Sequence, residues 1–125
     1  MAMRPATNDQ VLRFFFRASG RISRVEYTLA LVVLQAINFA ILIELLSRDY
    51  ITPAALLLLV IISVPLVVSL IVIMVKRCHD IGLPGTFFLF ALVPVVGVVW
   101  PIALCLVPGN PAANVYGPPP VFLPE

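Results

Sequence analysis

Three apolar runs, Thr28 to Leu46, Ala54 to Val75 and Thr86 to Val107, take up about half of a 125-residue chain and constrain it more than any other feature. Each is long enough to cross about 30 Å of hydrocarbon at roughly 1.5 Å per residue. The second run holds sixteen Leu, Ile or Val residues and no charge. Its insertion gain is about −5 to −10 kcal/mol, an upper bound because residues near the ends count less. One such run could be the core helix of a soluble protein. Three cannot, because too little chain remains to cover them. Composition agrees: 62% of residues are apolar and 11% charged, with a mean hydropathy of +1.11. A soluble domain is about half apolar and a quarter charged. The sequence therefore predicts an all-α membrane protein with three transmembrane helices (28–46, 54–75 and 86–107) in one domain.

Charge placement sets the orientation. Arg4, Arg13, Arg17, Arg21 and Arg24 precede the first run, Arg48 follows it, and Lys76 and Arg77 follow the second. From Ile81 to Pro124 no side chain is charged. With the N-terminus inside, three crossings put seven basic residues on the cytoplasmic side and one outside, as the positive-inside rule prefers. That arrangement leaves the C-terminus outside. Pro94-Val-Val-Gly97 at the middle of the third run keeps an alternative open, a re-entrant hairpin that returns the tail to the cytoplasm. The first 27 residues lack a signal-peptide pattern, so the first run reads as a retained anchor.

Local signals refine the flanks. Ser23-Arg-Val-Glu26 has capping-box spacing and marks the start of the first long helix. Upstream, Asp9 to Ser19 mixes Val11, Leu12 and three phenylalanines with Arg13 and Arg17. This suits a short interfacial helix in the cytoplasmic segment 1–27, with the two guanidinium groups at lipid headgroups. Each arginine near anionic lipid contributes about 1 kcal/mol, although topological signalling alone also accounts for these charges. The segment 108–125 carries six prolines and is extended or turn-rich.

Gly20-Arg-Ile-Ser-Arg-Val-Glu-Tyr27, Lys76-Arg-Cys-His-Asp-Ile-Gly82 and Pro108-Gly-Asn110 with Asn114-Val-Tyr-Gly117 occur in that order, separated by apolar spans. Together they resemble the domain-of-unknown-function family 805, over about residues 12 to 120. The resemblance implies a small polytopic protein of the bacterial inner membrane and brings no established activity, substrate or cofactor. The family often has tryptophan where this chain has Thr28 and Thr86 to Phe88. It commonly has an acidic or amide residue where this chain has Pro119.

With the N-terminus inside, Arg21, Arg24, Glu26, Arg77, His79 and Asp80 gather at the cytoplasmic interface. Partly desolvated charges need partners, so Asp80 or Glu26 is expected to accept from Arg24 or Arg77 and tie the helix ends together. Cys78-His79-Asp80 supplies too few ligands for zinc, which takes three or four. It also shows no activated nucleophile. No metal, cofactor or catalytic residue is assigned. At mid-depth Gln35, Asn38 and Ser63 form a polar stripe. The amides of Gln35 and Asn38 are candidates to satisfy the carbonyls of Ile61 and Phe90 freed by Pro65 and Pro94.

Two function classes remain. One is a non-enzymatic scaffold or accessory subunit, in contact with membrane lipids and with copies of itself or other membrane proteins. The other is a component of an oligomeric channel or transporter that uses the mid-depth stripe. An enzyme acting on lipid headgroups would need His79. Nucleic acid is not an expected partner, because the arginines are already placed for the membrane surface.

Overall fold

A computed structural model describes residues 8 to 120. Arg4 and Pro124, and with them the ends of the first and last segments, lie outside those residues. Among the described residues there are four α-helices, one 3-10 helix and a single isolated bridge between Asn114 and Gly117. The helices are α1 (Asn8–Phe16), α2 (Arg24–Leu46), α3 (Pro53–Ile81) and α4 (Val96–Leu106), with the 3-10 helix over Gly85–Leu92 between α3 and α4.

Helix α2 starts where its cap dictates. The Glu26 amide donates to Ser23 Oγ at 3.2 Å, and Glu26 Oε2 accepts from the Ser23 amide at 2.9 Å. Both halves of the capping box are therefore made. Helix α3 opens on Thr52, whose Oγ1 accepts from the Ala55 amide, with Pro53 at the first helical position. It runs past the expected end at Val75 through Lys76-Arg-Cys-His-Asp-Ile81. Gly82 ends it at φ 90°: the Leu83 amide reaches Cys78 O and the Gly82 amide reaches His79 O. That is a Schellman closure, and the left-handed residue it needs is glycine. Hydropathy stops at Val75 because charge begins there, whereas the helix stops only where its cap stands.

The third apolar run departs from a full crossing. Residue Val93, restrained by the following proline, is extended at φ −83°, ψ 126°, which terminates the 3-10 helix. Val95 then takes φ 69°, ψ −55°, and the Val96 amide donates to Pro94 O at 2.9 Å. This is a γ-turn of the strained hand, with a β-branched residue at its centre. The chain reverses, and α4 runs back beside the 3-10 helix. The two legs meet tightly at Gly97, where a Cβ would run into the Ala91 carbonyl. The run is thus a hairpin of two legs, each about 16 Å long, in place of one helix over 86–107.

The chain ends follow from this. The Asn110 amide donates to Asp80 O, and Arg21 reaches the carbonyls of Ala112 and Gly117. The tail therefore lies at the same end of the molecule as the start of α2, not opposite it. Cys78 and Cys105, which a third crossing would separate, sit at that same end beside Arg77 and Leu104. The described residues contain two helices long and apolar enough to cross a membrane, α2 and α3.

The buried core lies at this end. The core consists of Ile22, Tyr27, Ala30, Leu34, Ile73, Met74, Cys78 and Leu104, with Phe87, Phe88 and Trp100 against it. Tyr27 Oη also donates to Pro101 O and so ties α2 to α4. No residue from 35 to 68 is buried.

Candidate functional site

Asp80 occupies the last turn of α3, one turn beyond Arg77. The Arg77 Nη1 group donates to Asp80 Oδ2. From the segment preceding α2, Arg21 Nε donates to Asp80 Oδ1 at 3.0 Å. The side chains of Arg21, Arg77 and Asp80 are 1%, 0% and 2% exposed. One carboxylate thus holds two guanidinium groups out of solvent. The surplus positive charge is met by backbone carbonyl dipoles. Arg21 Nη1 donates to Ala112 O at 2.9 Å and Gly117 O at 3.1 Å, and its Nη2 to Asn110 O at 2.5 Å. Arg77 Nε donates to Leu104 O at 2.9 Å, Nη1 to Ile22 O at 3.4 Å, and Nη2 to Val107 O. Leu104 and Val107 lie at the C-terminal end of α4. Arg77 therefore fills orphan acceptors at the negative end of that helix dipole.

The tail closes over the carboxylate. Gly109 passes so near Asp80 that a Cβ there would overlap the carboxyl group. Asn114 Nδ2 donates to His79 O at 2.9 Å, while Asn114 Oδ1 accepts from the Tyr116 amide. The Tyr116 ring stacks on His79, with centroids 3.9 Å apart and planes 6° from parallel. On the other side His79 Nδ1 donates to Gly20 O at 3.1 Å. Gly20 itself sits at φ 94°, where the chain turns into the arginine segment. The three motifs read from the sequence thus meet at one clasp. Its donors are directed into the chain's own acceptors, which joins three stretches that are distant in sequence.

The remaining candidate residues are distributed as follows. Asp80 takes Arg77 and Arg21, Glu26 serves the Ser23 cap, and Arg24 opens α2. Arg13 and Arg17 are exposed on or just after α1. Asn38 Nδ2 turns back to Leu34 O of its own helix at 2.9 Å, and Ser69 Oγ bonds Pro65 O. Gln35 is exposed, and Asn38 and Ser63 are half-buried. No hydrogen bond from Gln35 or Asn38 to Ile61 or Phe90 is found among the described residues. Among the described residues no three His, Cys, Asp or Glu side chains gather as a metal site requires.

Sequence reasoning missed Lys76 as an anchor. Its buried ammonium donates to Arg13 O at 3.0 Å and Phe14 O at 2.7 Å, and lies 5.2 Å from the Phe14 ring centroid. These carbonyls end α1, so Lys76 caps that helix and docks it on α3. At the opposite end of α2 and α3 an open groove of about 340 Å³ runs between Ile41, Leu45, Leu58, Leu59 and Ile62, with the exposed Glu44–Arg48 ion pair on its rim.

A family model described as a protein of unknown function (DUF805) matches residues 15–118. Comparison with curated proteins and with solved structures gave no match.

Proposed function

Since the chain belongs to the DUF805 family, a family of unknown function, we propose from its physical chemistry that it is a small integral protein of the bacterial inner membrane, a non-enzymatic scaffold or accessory subunit. The observation that carries this reading is exposure. Only 11% and 17% of the apolar windows of α2 and α3 are buried, whereas a core helix of a soluble protein would be mostly buried. Hydrocarbon is the solvent that such surfaces require. Both α2 and the 53–75 part of α3 have 23 residues, about 35 Å at 1.5 Å per residue, which suits a complete span.

In this reading the hairpin enters and leaves by the clasp side. Its γ-turn and the bonds from the Gly97 amide to Val93 O and from the Val98 and Val99 amides to Val95 O keep those backbone groups satisfied at depth. Arg13, Arg17, Arg21, Arg24, Lys76 and Arg77 lie at the clasp end and Arg48 at the other, so the clasp faces the cytoplasm, with both the N-terminus and the tail. The clasp serves to hold one shape, which favours a structural role over turnover.

Alkaline carbonate extraction of bacterial membranes tests the reading: the protein should remain in the pellet and leave it only with detergent. Release by carbonate would contradict a membrane-spanning chain. A second reading, a subunit of an oligomeric channel, is favoured by Gln35 alone, whose exposed amide in an apolar setting calls for a partner on another chain. In that case Gln35→Leu should change permeation in intact oligomers.

A further inference from the structure

If two helices cross fully and the hairpin enters from one face, the two leaflets do not receive equal amounts of protein. Leg length and burial place the boundary at the same depth. The hairpin legs, eight residues of 3-10 helix and eleven of α-helix, are each about 16 Å long, half of the hydrocarbon thickness. Burial on α2 ends at Leu34, ten residues below Arg24 or about 15 Å deep. Beyond that level only the halves of α2 and α3 within residues 35 to 68 remain, none of them buried.

The clasp-side half therefore contains four segments and the other half two. At a diameter of about 10 Å, each hairpin leg adds roughly 80 Å² of cross-section to one leaflet only. Helix α1 adds to the same side. Held by Lys76 at the level where α3 leaves its apolar span, it exposes Val11, Leu12 and Phe16 beside Arg13 and Arg17. That is the pattern of a helix lying in the headgroup boundary. The clasp ties the returning leg to α3, since Arg77 donates to Leu104 O and Val107 O at the end of α4.

We propose that the molecule is a wedge whose partner is a curved lipid bilayer, convex on the face that carries the N-terminus and the tail. This rests on the membrane reading above. It adds that the protein favours such curvature or stabilises it.

The test uses the full-length chain with a fluorophore at its N-terminus, reconstituted into giant vesicles of phosphatidylethanolamine and phosphatidylglycerol. Narrow tubes are pulled outward, and a membrane-impermeant quencher separates the two orientations. Molecules with the N-terminal face outward should be enriched on tubes about twofold over the parent vesicle, and those facing inward depleted by a similar factor. Equal densities of both orientations on tube and vesicle, in protein that resists carbonate extraction, overturn the wedge and leave the membrane reading standing. Failure to enter the bilayer overturns both. Two-step photobleaching without sorting also overturns it, because a second copy then fills the thinner half.

Discussion

The two ends of the α2–α3 pair are made of the same helices and obey different rules. At the clasp end a guanidinium, a carboxylate and a glycine are fitted to one another, and side chains from distant segments are fully buried. In the 35–68 half, long aliphatic side chains stand largely exposed and none is buried. The contrast teaches that apolarity fixes where this chain goes, whereas a few polar residues fix what shape it has there. In the proposed membrane setting hydrocarbon offers no net drive for helices to associate, so the specific contacts fall where water thins out and charges need partners.

The comparison can be broken most severely at Asp80. Asp80→Lys places three buried cations together, and removing one partner of a buried pair costs about 3–5 kcal/mol. Folded protein recovered from membranes should fall to a trace, read by size exclusion in detergent; normal recovery would mean that the clasp does not hold the fold. Gly109→Ala should cost less, about 1–3 kcal/mol for overpacking against the Asp80 carboxylate, seen as a lower thermal midpoint in detergent. Val95→Gly should act in the opposite direction. It releases backbone strain of about 1–3 kcal/mol against the roughly 0.5–1 kcal/mol entropic cost of glycine, so the midpoint should rise slightly. Leu57→Ala in the bare half should change stability by less than about 0.5 kcal/mol. A large loss there would reveal a partner on that face.

What the sequence made legible was local. Ser23 and Glu26 are three residues apart, and their cap follows from spacing alone. The apolar spans of α2 and α3 likewise declare themselves within a window. The fate of the third run was only half legible. Pro94 and Gly97 mark a break, but a kink and a reversal look alike until Gly97 meets Ala91 and Arg77 captures carbonyls at Leu104 and Val107, 27 and 30 residues away. The convergence of the first two polar motifs followed from their order along antiparallel helices, whereas three crossings would have carried the third, Pro108 to Gly117, to the opposite side, and only the hairpin brings it back. Which arginine reaches Asp80 did not follow, because Arg21 and Arg24 differ by less than one helical turn and Gly20 sets the approach. Lys76 counted only as a positive charge, since capping α1 depends on where a remote helix docks.

The central claim is that the third apolar run turns back, leaving both flanks of the proposed membrane domain on one face. Single cysteines at Ala18, Asp49 and Ala113, in a background with Cys78 and Cys105 replaced by alanine, can be probed with an impermeant maleimide on intact spheroplasts and on inverted membrane vesicles. Ala18→Cys and Ala113→Cys should label together, from the inverted vesicles, and Asp49→Cys only from the spheroplasts. Labelling of Ala113→Cys from the same side as Asp49→Cys would make the run a third crossing and contradict the fold described here.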